Sequence, residues 1–240
     1  MSKISFDNYA KKAEKLKDTL QVAGRLPTQR NSERLIVRDI IKKLKISPLD
    51  NCLDIGCNVG NILIPLSFMV NSITGIDNAS CVTRLQQRYD GDNIILVKGD
   101  FMDHDFHDQS FDKIIIYSVL HYLGKDEVEP FIKKALSVLA PGGCMILGDI
   151  PNISLKQRFC ESEYGIKFQK EWELLNKNTQ YEKADITSRQ DLDLAIFDDQ
   201  RIISILTFIR GLGFNAFVLP QNHDLPFGNT REDIVIERPA

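Results

Sequence analysis

Apolar residues fall into two rhythms along the chain, and the rhythm changes near residue 50. Before it they recur at helical spacing: residues 8–22 and residues 32–44 each gather them on one side, the second through Leu35, Ile36, Ile40, Ile41 and Leu44. The intervening GRLPTQRNS carries two breakers, Gly24 and Pro27, and Ser32 followed by Glu33 reads as the cap of the second helix. Beyond residue 50, short continuous apolar runs (CLDI, SITGID, NIILVKGD, FDKIIIY, CMILGDI) alternate with helical stretches after Ile62, at 79–89 and at 128–139. Runs of that length without polar alternation predict strands covered on both faces, joined by helices into a largely parallel sheet. Residues 202–211 predict a last helix, and FNAFVLP and EDIVIER predict two strands forming an antiparallel tail. Residues 151–200 are polar, with Tyr164, Trp172 and Tyr181 interspersed.

This pattern predicts one α/β domain in four parts: an N-terminal helical arm (1–31), a core (32–150), a lid-like insertion (151–200) and a C-terminal helix with strands (201–240). The 240 residues, 43% of them hydrophobic, are enough to bury one full core. No apolar run approaches the roughly 20 residues that span a bilayer, and MSKISFDNYAKK lacks the apolar stretch of a signal peptide, so a soluble, cytoplasmic protein is expected. The five cysteines form no C-x-x-C pair, which predicts neither disulfides nor zinc. Net charge is −3, against a dedicated nucleic-acid binder, yet residues 1–48 hold 12 Lys and Arg against 5 Asp and Glu. That excess reads either as solvated helix faces or as a basic arm meeting an anion.

The chemistry is concentrated in CLDIGCNVGN, residues 52–61. A strand ending in an acid, a turn with Gly56 and Gly60, and an apolar helix make a nucleotide-binding strand-turn-helix unit. A pyrophosphate would favour G-x-G-x-x-G, but Asn58 stands at the second glycine position and Asp54 would repel a doubly anionic linker. A cationic ligand suits it better. A carboxylate at the next strand end, Asp77, can accept from both hydroxyls of a ribose. In MDHDFHDQS, His104 and His107 lie in a polar acidic loop, and no metal site is predicted there.

With Asp54, Gly56 and Gly60 in a D-x-G-x-x-x-G frame, the chain resembles the class I S-adenosylmethionine-dependent methyltransferases; Asn58 departs from the usual glycine. The resemblance implies a Rossmann-like mixed seven-stranded sheet of order 3-2-1-4-5-7-6, last strand antiparallel, with helices on both faces. It implies S-adenosylmethionine held by Asp54, Gly56, Cys57, Asn58, Gly60 and Asn61, with Asp77 and Asn78 at the ribose and Asp100 and Phe101 at the adenine. Tyr117 and Ser118, on the loop after the fourth strand, would face the cofactor's methyl group. His121 is the candidate base for a hydroxyl acceptor, with Tyr117 beside it; Arg30 and Arg34 are candidates for the cofactor's carboxylate. The fourth-strand loop lacks the N-P-P-Y or D-P-P-Y sequence of relatives that methylate base amines or glutamine side chains. The expected reaction is therefore methyl transfer to nitrogen or oxygen of a small molecule such as an amino acid, sugar or metabolite, with no nucleic-acid or membrane partner. A non-catalytic nucleoside-binding protein and, less favoured, an NAD-dependent oxidoreductase are the alternatives.

Overall fold

The computed structural model describes residues 3–180, 182, 184, 186–187 and 192–240; Tyr181 lies outside them. The elements follow in chain order as helices α1 (Lys3–Lys15), α2 (Thr19–Val22), α3 (Arg30–Glu33) and α4 (Ile36–Leu44), then strand β1 (Asn51–Ile55). Next come α5 (Leu63–Ser67), β2 (Ser72–Asp77), α6 (Ala79–Arg88), β3 (Ile94–Lys98), β4 (Phe111–Tyr117), α7 (Val128–Ser137) and β5 (Leu139–Pro151). Helices α8 (Ile153–Glu161) and α9 (Glu163–Asn176) precede α10 (Asp199–Gly211), β6 (Asn215–Pro220) and β7 (Arg231–Glu237).

The seven strands form one sheet of order β3-β2-β1-β4-β5-β7-β6, as expected, with β7 antiparallel to both its neighbours. Successive side chains of a strand point to opposite faces, so each apolar run supplies two cores. Leu53, Ile114, Ile116, Met145, Leu147, Ile234 and Ile236 pack on one face with Phe131 and Ile132 of α7 and Ile205 and Ile209 of α10. Cys52, Ile115, Cys144, Ile146 and Val235 pack on the other with Ile36, Ile40 and Leu44 of α4 and Leu63 and Leu66 of α5. Packing is tight at Gly75 in β2, where a Cβ would lie 2.3 Å from Leu63 Cδ1 and 3.0 Å from Cys57 Sγ. Gly75→Ala is expected to cost about 1–3 kcal/mol by overpacking, measured by denaturant unfolding.

The arm departs from its periodicity in two places. The single helix expected over 8–22 starts earlier and breaks after Lys15, because Asp18 accepts from the Leu20 amide at 3.0 Å and caps a new helix. Ser32, expected as a cap, lies inside α3, and the chain turns again before α4 begins at Ile36. The arm then docks on the end of β1: Ala13, Leu16 and Val22 pack with Val59, Cys81 and Ala184. Arg84 of α6 donates to the carbonyls of Ala13, Leu16 and Lys17, satisfying the C-terminal end of α1.

Residues after β5 reach back to the arm. Asn8 Nδ2 donates to the Thr187 carbonyl at 2.9 Å while the Thr187 amide donates to Asn8 Oδ1, and Thr28 Oγ1 pairs with Asn176 Oδ1 at 2.9 Å. No helix of the described residues is long and apolar enough to cross a membrane.

Candidate functional site

A cavity opens at the C-terminal edge of β1, β2 and β4, the edge where open α/β sheets bind ligands. The turn after β1 makes its floor. Gly56 has φ +80°, and a Cβ there would sit 2.6 Å from Val119 Cγ2; Gly60 has φ +85°, with Leu85 Cγ 2.8 Å from the same test position. Asn58 has φ +50°. That left-handed conformation suits glycine first and asparagine next, so Asn58 preserves the turn that a glycine would make.

Two carboxylates face the cavity. Asp54 is 2% exposed, and no hydrogen bond reaches its carboxyl among the described residues. Burial, with the charge of Asp77 adding, pushes its pKa up to about 8. Asp77 is raised to about 6, chiefly by burial, and the amides of Asn78 (2.6 Å) and Asn58 (2.8 Å) limit the rise. These amide bonds tie the turn to the end of β2. Asn78 continues the frame by capping α6 through the Cys81 amide at 2.9 Å. Two buried acids, one without a partner, prefer a cation or a strong donor in the space between them.

Across the cavity stands a cation that is already paired. Arg25, in the loop after α2, is buried between Asp149 (2.9 Å) and Glu33 (3.1 Å). Asp149 sits where the β5–β7 register shifts, with φ +59°, so its carboxyl turns into the protein, and Arg231 Nε lies 3.8 Å away. Burial alone would raise the Asp149 carboxyl, but Arg25, Arg231 and His121 outweigh it, with a Ser118 hydrogen bond, and hold it below the ordinary carboxylate range. The roof comes from the arm and the β4 loop. Tyr9 of α1 stands edge-on to Tyr122 at 5.1 Å, and Tyr117 accepts from Gln221 Nε2 at 3.1 Å. Burial first, then Asp149, raise the Tyr117 phenol well above its usual range, so it stays neutral.

Of the residues singled out from sequence, Asp54, Gly56, Cys57, Asn58, Asn61, Asp77, Tyr117 and Ser118 line this cavity. Asp100 and Phe101 line a recess next to it, reached past Gly56, Asp77 and Val119. Gly60 and Asn78 shape the turn without lining it. Two expectations need correcting. Arg30 is exposed and held by Asp18 at 2.6 Å, and Arg34 faces a separate groove; the cation at the cavity is Arg25. His121 is 3% exposed in the short helical turn Leu120–Tyr122, packed against the Tyr122 ring at 4.3 Å, and does not line the cavity. His104 and His107 belong to no group of three potential metal ligands among the described residues. Arg25, Tyr9 and Asp149 were missed because their partners lie far along the chain, Asp149 being 124 residues from Arg25.

Residues 52–143 match the family described as methyltransferase domain. The sterol 24-C-methyltransferase of Yarrowia lipolytica is 33% identical over 107 residues, covering 42% of this chain and 28% of that protein. The chain spans about a quarter to a third of the length of the curated relatives it matches. Among solved structures, N-methyltransferase NodS from Bradyrhizobium japonicum WM9 in complex with S-adenosyl-L-homocysteine superposes with TM-score 0.64 at 16% identity, over 99% of this chain and 100% of that one. Magnesium protoporphyrin IX methyltransferase from Synechocystis PCC 6803 gives 0.58 at 16% identity, over 88% and 85%.

Proposed function

From a methyltransferase domain at residues 52–143 within a class I methyltransferase fold, we propose that this chain transfers a methyl group from S-adenosylmethionine to nitrogen or oxygen of a small-molecule acceptor. The observation that carries the reading is Asp54: a buried carboxyl that no hydrogen bond reaches among the described residues, facing a cavity, is suited to a ligand's ammonium. Asp77 is placed for a ribose, and the recess at Asp100 and Phe101 offers an acceptor oxygen and an apolar ring for an adenine. A pyrophosphate would find two acids where it needs donors.

S-adenosylmethionine supplies an electrophilic methyl carbon on a sulfonium. The chain's part is to align an acceptor with that carbon and keep water out, which can account for much of such a rate. Tyr9, Tyr117 and Tyr122 provide an enclosing surface with three phenol oxygens, and Asn176 and Thr187 brace the arm behind it through Thr28 and Asn8, which supports a lid-like role for residues 151–200. Because His121 does not reach the cavity, no histidine base is assigned, which favours an acceptor that arrives already nucleophilic, such as a free amine.

The test has two stages. S-adenosylhomocysteine should bind in calorimetry while NAD does not; NAD binding without a response to S-adenosylhomocysteine would end this reading. Deuteromethyl-labelled S-adenosylmethionine and cell extract should then yield a labelled small molecule by mass spectrometry, whereas labelled protein or nucleic acid would overturn the acceptor class. Tyr9→Ala is expected to keep S-adenosylhomocysteine binding within roughly fivefold and lower turnover at least about tenfold, since it opens the roof and leaves the acids intact.

A further inference from the structure

The basic excess of the arm is not used up by the cavity. Arg25 enters it, whereas Arg34, Arg38 and Lys42 stand at four-residue intervals on α4 and the turn before it. Such spacing stacks them on one side, spanning about 12 Å. All three are exposed, and no carboxylate pairs with any of them among the described residues.

They flank a groove between α4 and the α5–α6 side of the sheet, with Val37, Ile41, Ile64 and Met69 in its walls. Arg88 closes the far side, held by the Val59 carbonyl and by Asn61 Oδ1 at 2.8 Å. Burial, with Arg84 adding, lowers the Arg88 pKa, so the groove holds positive charge at some cost. At its mouth Met69 is 44% exposed, next to Phe68 at 67%. A merely solvated helix face would turn its apolar residues inward, as Ile36, Ile40 and Leu44 do. Val37 and Ile41, half-buried at the edge of that same core, leave a second apolar line on α4 beside the three cations. Among the described residues, the groove and the cavity share Glu33 and Asn61 in their linings.

We propose that this groove binds a free, single-chain anionic amphiphile, its phosphate or carboxylate head against Arg34, Arg38 and Lys42 and its hydrocarbon along Ile41, Ile64 and Met69. The complementarity is twofold: several cations on one edge need one anionic head, and the apolar walls need a chain. This site is additional to methyl transfer and does not depend on it.

The experiment is calorimetric titration of the full chain with dodecyl phosphate below its micelle concentration. Inorganic phosphate, dodecyl maltoside and anionic phospholipid vesicles are the other arms. Dodecyl phosphate should saturate one site at least about tenfold more tightly than inorganic phosphate or the maltoside, the difference that a charge-assisted hydrogen bond or a buried chain makes. The double variant Arg34→Gln, Arg38→Gln should weaken it by roughly tenfold or more, with the thermal midpoint and S-adenosylhomocysteine affinity unchanged. Equal binding of the maltoside would reduce the site to a greasy surface, and equal binding of phosphate to an ion site. Binding to vesicles alone would make it a bilayer contact. Any of these, or a double variant that binds normally, overturns the proposal.

Discussion

Asp149→Ala is expected to destabilise the protein by about 3 kcal/mol, the lower end of the cost of breaking a buried ion pair, because Glu33 still faces Arg25 at 3.1 Å. Asp149 is fully buried, and it neutralises Arg25, whose side chain is 5% exposed; its backbone amide also donates to Asp233 at 2.8 Å. Asp233 in turn holds Lys43 at 2.7 Å, so the carboxylates at the ends of β5 and β7 tie the arm and α4 to the sheet. Denaturant unfolding measures the loss. The companion variant, Arg25→Met and Asp149→Leu with Glu33→Gln, removes all three charges of the cluster and should recover much of it. The pH sign follows from the depressed Asp149 pKa. Its contribution is present above the ordinary carboxylate pKa near 3.9 and lost as pH falls through the lower folded value. A loss below about 1 kcal/mol in Asp149→Ala would show that Glu33 or water satisfies Arg25 without it.

Asp54 works in the opposite direction and gives the second large effect. Its pKa near 8 in the empty protein means that it is mostly protonated at neutral pH, whereas a bound ammonium requires the carboxylate. Binding must then release a proton. Affinity for S-adenosylhomocysteine should rise with pH by up to about tenfold per unit between 6 and 7.5, levelling near 8, where the ligand's own amine begins to lose its charge. Calorimetry in buffers of different ionisation enthalpy reads the proton directly, and Asp54→Asn should abolish its release and weaken binding by roughly 10² or more. Without ligand, the raised folded pKa means that this acid costs nothing below its unfolded value near 3.9 and progressively more as pH climbs towards 8. The empty wild type should therefore lose thermal stability over that window, and Asp54→Asn should lose less. A flat affinity profile with no proton release would mean that Asp54 does not meet a cation.

What the sequence made legible was local. Uninterrupted runs such as KIII and CMIL marked the strands because burial on both faces leaves little room for polar alternation, and Asp54, Gly56 and Asp77 were readable because one tight turn needs them within a short span. Arg25 was not readable: it lies in an aperiodic loop, and the acid that keeps it inside arrives 124 residues later. Arg30 and Arg34 carried the same charge at the entrance to the core, but position along the chain does not record which side chain turns to the sheet edge. His121 misled for a related reason. Its neighbours Tyr117 and Tyr122 line the cavity, while the helical turn at 120–122 buries the ring between them in sequence.

The ties between the arm and the residues after β5 also fix an order of assembly. Asn8 meets Thr187, Lys17 meets Glu182 and Thr28 meets Asn176, pairs separated by 179, 165 and 148 residues. Contacts that close such long loops carry a high entropic cost and form slowly. During synthesis, α1 can settle on α6 through Arg84 and Cys81 once that helix exists, but Asn8 must wait for more than 170 further residues before Thr187 can pair with it. The sheet edge with its acids and the Tyr9–Tyr122 contact above it can form first, and the ties that brace the arm from behind close among the last events of folding.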